Sequence, residues 1–395
     1  PGWLPRPHPA GCLGPGRRPR RRSRPGQKSV RRAEHRPDTV VNVAGYPLQT
    51  ERLTVRIMRT ADRATLLAYR NDPQVAALQS WELPHTAEHT TWLDAQDGLD
   101  DLAPTGWTQL AIEVAGQHIG DIAVHRDETG QQANLGFSLA KAHWGHGYAT
   151  EAASAVIADL VERLGIVRLS ADCDPGNTAS QRVLERIGLI YSHDASKSFL
   201  WRGEWADTTY YAATAEQWRA WRDRPKTPPQ EVHLVALDAD RAREWRDVRT
   251  HHTQRSFVSP VEESYADAFF VARLNAALPP PPPDAKVIIP MIFGVIADGE
   301  RAGFLMYAAV SSTMRMPYLW RLLVDRRHQG RGVGRETLRL LARRLVDEGH
   351  SELKLSYVDE PGGPGPFYRA LGARPTGEVD DGEVVAILPL TALLA

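Results

Sequence analysis

Apolar residues along the chain fall into two alternating periods. Near-alternating stretches at 53–59, 109–113, 118–125 and 133–139 predict strands. From about 149 to 164 the period becomes 3.6. There Ala152, Ala153, Val156, Ile157, Leu160, Val161 and Leu164 share one face, which predicts an amphipathic helix. A strand at 168–172, a helix at 178–187 and short strands at 199–201 and 208–212 complete the unit. The segment 222–231 holds Pro225, Pro228 and Pro229 and reads as a stiff linker.

The order then recurs. A strand is expected at 232–237, a helix at 239–252 and a second helix at 261–278, ended by the five prolines of 279–283. Strands follow at 291–297, 302–310 and 318–324. A helix at 333–348 carries Leu338, Leu341 and Leu345 on one face. A strand at 352–357, a short helix near 367–371 and a strand near 383–388 close the chain. Both halves therefore predict an α/β (α+β) class, each a mixed sheet with helices on both faces. The expected layout is a tail at 1–46, one domain at 47–221, a linker at 222–230 and a second domain at 231–391.

Charge separates the tail from the rest. Residues 1–46 hold 11 Lys/Arg against 2 Asp/Glu, so the remainder of a formally neutral chain carries a net charge of −9. The tail is rich in Pro, Gly and Arg and cannot bury enough apolar surface to fold. It reads as a disordered extension or as translation upstream of a natural start. Contact with nucleic acid is expected only through this tail. The two cysteines, Cys12 and Cys173, cannot build a disulfide framework or a zinc site. No apolar run approaches membrane-spanning length, so a cytoplasmic protein without membrane contact is expected.

The chemistry concentrates in a duplicated glycine turn. Residues 143–152 read HWGHGYATEA and residues 328–337 read HQGRGVGRET. Each follows an apolar strand and opens an amphipathic helix. Successive N–H groups at a helix start are unsatisfied and sit at the positive end of the dipole, so an anion fits there. Glycine permits positive φ and close backbone approach. Walker A requires Lys-Ser/Thr after its glycine, and the dinucleotide fold requires GxGxxG; neither copy has either. His143 and His146 flank the first turn without further ligands nearby, so no metal is expected. Ser154 and Ser256 lie outside any GxSxG elbow.

These turns resemble the acetyl-CoA signature of the GNAT N-acetyltransferases, Gln/Arg-x-x-Gly-x-Gly/Ala. Gln329, Gly330, Arg331, Gly332, Val333 and Gly334 match it fully. Trp144, Gly145, His146, Gly147, Tyr148 and Ala149 match it except at Trp144. With Thr150-Glu151-Ala152 following, the first half resembles the RimJ/RimL-type ribosomal-protein-alanine branch. The second half, with TGEVDDGEVVA at 376–386, resembles spermidine/diamine acetyltransferases.

The resemblance implies two tandem domains, each splayed between its fourth and fifth strands. It implies acetyl-CoA as co-substrate, an amine of a small molecule or protein N-terminus as acceptor, and direct transfer in a ternary complex. In the first half Phe137, Ser138 and Leu139 would edge the splay, residues 144–150 would cradle the pyrophosphate, Asn177 would touch the pantetheine arm and Ser180 would lie near the sulfur. Asn177 and Ser180 also suit a helix N-cap. In the second half the N–H groups of 329–335, Arg335 included, would hold the pyrophosphate, and one near Leu323 or Val324 would meet the oxyanion. Tyr368 would protonate the departing thiolate, or else pack in the core.

Two departures stand out: Asn134 where many relatives of the first branch carry Glu, and no Asn in 362–366. Glu262, Glu263 and Asp267 read as a solvated helix face or as a cationic-amine contact. The aromatic segment 199–211 reads as an acceptor-pocket hairpin or as core. The alternative reading makes the first half a non-catalytic acyl-CoA-sensing module. The assembly would be a monomer with pseudo-dimeric halves or a homodimer.

Overall fold

The computed structural model describes residues 45–201, 203–238, 241–275, 288–311 and 314–395. The tail expected to be disordered and the five-proline run lie outside them, apart from residues 45 and 46.

The first sheet is built from β1 (Leu48–Gln49), β2 (Leu53–Ile57), β3 (Gly106–Val114), β4 (Gln117–Arg126), β5 (Gln132–Leu139), β6 (Arg168–Cys173), β7 (Ile190–Trp201) and β8 (Glu204–Thr214). Their spatial order is β1-β2-β3-β4-β5-β6-β8-β7. Helices α1 (Arg63–Arg70), α2 (Pro73–Ala76) and α3 (Trp92–Gln96) cover one face, burying Leu66, Val75 and Leu93 against Met58 and Ala111. Helices α4 (Tyr148–Glu162), α5 (Thr178–Arg186) and α6 (Ala215–Arg222) cover the other. The stripe read from the sequence is what α4 buries: Ala152, Ala153, Val156, Ile157, Leu160 and Val161 are at most 2% exposed.

The second sheet repeats the plan with β9 (Val232–Ala236), β10 (Ile289–Ala297), β11 (Glu300–Ala309), β12 (Tyr318–Val324), β13 (Glu352–Tyr357), β14 (Arg374–Asp380) and β15 (Glu383–Pro389), in the order β14-β15-β13-β12-β11-β10-β9. Helix α7 (Val261–Asn275) covers one face; α8 (Val333–Asp347), α9 (Gly365–Ala370) and α10 (Thr391–Leu394) cover the other. Leu338, Leu341 and Leu345 of α8 are fully buried, each stabilising the layer by roughly 1.5–3 kcal/mol.

Both sheets open at the same place. β5 and β6 run parallel and pair only at 132–134, then diverge. β12 and β13 run parallel and pair only at Tyr318 and Leu319. Setting aside the two-residue β1, each opening falls between the fourth and fifth strands, as expected.

One expected helix is absent. Among the described residues of 239–252 there is a short 3-10 turn, Arg241–Trp245. The Arg249 N–H donates to the Asp325 carboxylate at 2.9 Å instead of continuing a helical ladder, and Trp245 plugs into the sheet beside Gly294. Helices α1 and α6 and strand β14 were not expected from the pattern.

The two halves pack together. Tyr191 stacks on His252 with centroids 3.7 Å apart. The buried Glu185 accepts from the Thr253 N–H (3.0 Å) and hydroxyl (2.6 Å). Arg182 donates to the Pro361 carbonyl at 2.8 Å. Among the described residues no helix is long and apolar enough to cross a membrane.

Candidate functional site

Each splay ends in its glycine turn, and the two turns share one geometry. Gly145 and Gly147 have φ of 78° and 79°; Gly330 and Gly332 have 75° and 86°. Other residues strain in this region. Gly147 and Gly332 are the N-caps of α4 and α8, and neither helix start is capped by a side chain. The first intrahelical bonds run from Glu151 to Gly147 and from Glu336 to Gly332. The N–H groups of Tyr148, Ala149 and Thr150, and of Val333, Gly334 and Arg335, therefore lack helical partners. Two matching sets of outward backbone N–H groups result, an arrangement that suits an anion.

The departure at Trp144 preserves a contact. Its indole N–H donates to the Leu139 carbonyl at 2.9 Å. In the second half the Gln329 side-chain amide donates to the Val324 carbonyl at 3.0 Å. Both acceptors lie five residues upstream, at the end of the splayed strand. Different side chains thus tie each turn to its strand.

Strand alternation decides which amides face the openings. The Asp325 N–H donates to Ala302 and the Ala140 N–H to Ile119, both across the neighbouring antiparallel strand. Leu323 and Ser138 face the same way. Val324 and Leu322 in one sheet, Leu139 and Phe137 in the other, face the splay. Of the two amides expected at the oxyanion, Val324 is the one so placed.

Other expected residues separate into backbone and side-chain contributors. The Arg331 guanidinium is buried and turned away: it donates to the Thr227 carbonyl and the Asp298 carboxylate, both at 2.7 Å. Its side chain is therefore not available to the turn. Arg335 is exposed. His146 is exposed and stacks on Tyr148 at 5.5 Å. The Asn177 side chain caps α5 by accepting the Ser180 N–H at 3.0 Å. Asn134 donates to Ser170 (3.2 Å) and Asp172 (3.4 Å). Glu262 and Glu263 are exposed, and Asp267 pairs with Arg321 at 3.3 Å, so this helix face is mostly solvated. Phe199, Leu200 and Trp205 are 37–61% exposed and do not fill a core.

Arg52 was not singled out in the sequence. It pairs with Glu151 at 2.6 Å, donates to the His146 carbonyl at 3.0 Å and lies 4.8 Å from the Tyr148 ring centroid. Glu151 in the first helical turn is held below the usual carboxylate range by hydrogen bonds from Thr50 and Arg52, which outweigh its desolvation. This clamp pins the first turn to the strand entry, and nothing in the local sequence around Arg52 signals it.

Tyr368 sits in α9 at 7% exposure, its ring 5.7 Å from Tyr357 and 5.2 Å from Phe367. Burial, with the Glu383 charge adding, raises its pKa above the ordinary phenol value, so the hydroxyl keeps its proton. Helices α5 and α9 both end at a positive-φ glycine, Gly188 and Gly372. Counting back from these caps, Leu184 stands where Tyr368 does, and Leu184 is 1% exposed. Cys173 ends β6 beside the first opening. Burial pushes its thiol up to about 12, so it is no thiolate nucleophile at neutral pH. Among the described residues no three His, Cys, Asp or Glu side chains gather as a metal site requires.

Residues 52–190 match the acetyltransferase (GNAT) domain and residues 215–372 the acetyltransferase (GNAT) family. The YkkB protein of Bacillus subtilis is 31% identical over 155 residues, covering 38% of this chain and 88% of that protein. The N-acetyltransferase p20 of Bacillus licheniformis is 27% identical over 162 residues, 39% of this chain and 90% of its own. Among solved structures, a GNAT-family acetyltransferase from Bacillus anthracis aligns with a TM-score of 0.38 and 26% identity, over 42% of this chain and 98% of that one. The duplicated splay, the duplicated glycine turn and the two family matches lead to one conclusion: the chain belongs to the GNAT N-acetyltransferase family, with two such domains in tandem and acetyl-CoA as co-substrate.

Proposed function

We propose that the second domain, 231–391, is the faster of two acetyltransferase centres and acts on an amine of a small molecule or of a protein N-terminus by direct transfer. The observation that supports this reading is the register of α5 against α9, in which a tyrosine of the second half stands where the first half has a leucine. The pyrophosphate of acetyl-CoA rests on the N–H groups of 329–335, as in the first domain (47–221) on those of 144–150. The thioester enters the splay beside Val324, whose N–H meets the developing oxyanion. Tyr368 gives its proton to the leaving thiolate. The high thiol pKa of Cys173 argues against an acetyl-cysteine intermediate in the first half. There Ser180, or water, replaces the phenol as donor. The packing of the halves through residues such as Tyr191 and His252 favours a monomer with pseudo-dimeric halves over a homodimer.

Tyr368→Phe tests the assignment. Steady-state acetylation by the second domain should lose about 10²-fold in kcat, with the KM for acetyl-CoA almost unchanged. An unchanged kcat would return Tyr368 to a packing role. In the first half, Trp144→Gln should retain coenzyme A affinity, whereas Trp144→Ala loses the strand tether, worth about 1 kcal/mol, and should bind about fivefold more weakly. Calorimetry with the second site disabled by Gly332→Glu reads this difference directly.

A further inference from the structure

A chain of hydroxyls crosses the mouth of the second splay. The Tyr318 hydroxyl lies 2.7 Å from the Ser356 oxygen, and the Ser356 hydroxyl donates to a Glu383 carboxylate oxygen. Serine has one proton to give. With that proton committed to Glu383, the Tyr318 O–H must be the donor to Ser356. Both O–H groups therefore point toward the carboxylate, a polarised path with its open end at Tyr318.

The placement suits the acceptor. Tyr318 is at the pairing of β12 with β13, where the strands begin to part. Leu319 on β12, Leu355 and Tyr357 on β13, and Val384 and Ala386 on β15 all face the α8 side. By alternation Tyr318, Ser356 and Glu383 face the opposite side. Acetyl-CoA reaches the splay from the start of α8, so the amine approaches from this other face. All three residues are only partly buried. Among the described residues no cation pairs with Glu383, since nearby Lys354 engages Glu378 at 3.6 Å instead.

We propose that Glu383 is the terminal proton acceptor of the second domain, reached from the splay through Tyr318 and Ser356, and that its uncompensated charge selects aliphatic amines that arrive as cations. This rests on the second domain being an active centre. The amine enters as R–NH3+. One N–H proton passes to the Tyr318 oxygen as the Tyr318 proton moves to Ser356 and the Ser356 proton to Glu383. The freed lone pair forms the N–C bond, the C–S bond breaks, and sulfur takes the Tyr368 proton. The nitrogen's second proton restores Tyr368. Glu383 returns the first to water and the hydroxyls reset. The products are the amide, the free thiol and one proton.

The test uses the full chain with the first site disabled by Gly147→Glu. Thiol release from acetyl-CoA, after subtraction of the enzyme-free rate, is followed with spermidine, a cationic amine, and with hydroxylamine, which is already neutral at pH 7. Glu383→Gln should lower kcat/KM for spermidine about 10²-fold, while hydroxylamine changes less than about threefold. Tyr318→Phe and Ser356→Ala should reproduce the spermidine loss, and Glu383→Asp should restore part of it. Equal loss with both amines would mean that the chain only braces the strands and would overturn the proposal. Full spermidine activity in Glu383→Gln, or no spermidine turnover by the parent, would overturn it as well. Calorimetry separates this from the broader reading: if Gly332→Glu still binds coenzyme A and turns over, the second site itself is misassigned.

Discussion

Gly332→Glu is expected to abolish coenzyme A binding by the second domain, and Gly332→Ala to weaken it only about tenfold. Gly332 has a φ of 86° and no atom within 4 Å of where a Cβ would stand. Any side chain there meets the same backbone strain, about 1–2 kcal/mol, which for alanine is the whole effect. Glutamate adds a charge where the pyrophosphate lies. At about 4 Å and an effective dielectric near 20, one like-charge pair costs about 4 kcal/mol. The sum exceeds about three decades in affinity. The alanine variant is thus the control that separates a distorted turn from a repelled anion. Isothermal titration of both variants reads the difference. Equal affinities would mean that the turn does not hold the phosphates. The same pair at Gly147 has a complication, since an added Cβ would sit 3.6 Å from Arg52. A glutamate there can compete with Glu151 for that arginine.

The glycine turns were legible because they answer a backbone requirement that few residues meet. Strands β12 and β13 were legible to the residue, since each is a short, half-buried apolar run with a polar or turn boundary. Strand β14 was not, because all seven of its residues are exposed and no periodicity marks it. β7 begins nine residues before its expected start. Tyr191, His193 and Asp194 carry no strand pattern of their own, and their pairing with β8 makes them an edge strand. The helix expected at 239–252 failed because Asp325, some 76 residues away in sequence, captures the Arg249 amide.

Site chemistry divides in the same way. Tyr368 was legible through the resemblance of its short helix to the closing helix of the family, a local pattern. The Tyr318, Ser356 and Glu383 chain spans sequence separations of 38 and 27 residues and exists only once β12, β13 and β15 are in register. Trp144 departs from the signature in residue type and not in the contact it makes. An indole N–H and a glutamine amide can reach the same carbonyl from the same turn. Both halves therefore share the splay and the glycine turn, while the side chains beside each splay differ. The second half carries Tyr368 and the linked Tyr318, Ser356 and Glu383; the first carries Leu184 at the place of Tyr368, with Asn134 on β5 and Cys173 on β6.

Trp221 is where the two domains are expected to depend on each other most. It ends α6 at 5% exposure, and its indole N–H donates to the Arg186 carbonyl at 3.0 Å. Its ring covers Gly188, where a Cβ would approach it to 2.4 Å. The guanidinium of Arg224, from the linker, lies 3.6 Å from the ring centroid and that of Arg326, from the second domain, 5.1 Å. His251 meets it edge-on at 5.6 Å. Trp221→Ala removes a core side chain from the first domain and a shared aromatic face from the interface, costing about 3–5 kcal/mol. Trp218→Ala, also buried in the first core at 3% exposure, is the matched control that leaves the interface in place. Both variants should lower the melting temperature of the first domain by roughly 6–20 °C. Only Trp221→Ala should also split one thermal transition into two and accelerate trypsin cleavage after Lys226, because only it releases the linker from both neighbours. If the two variants behave alike, Trp221 serves the first core alone, and the domains are coupled by Glu185 with Thr253 and by Tyr191 with His252.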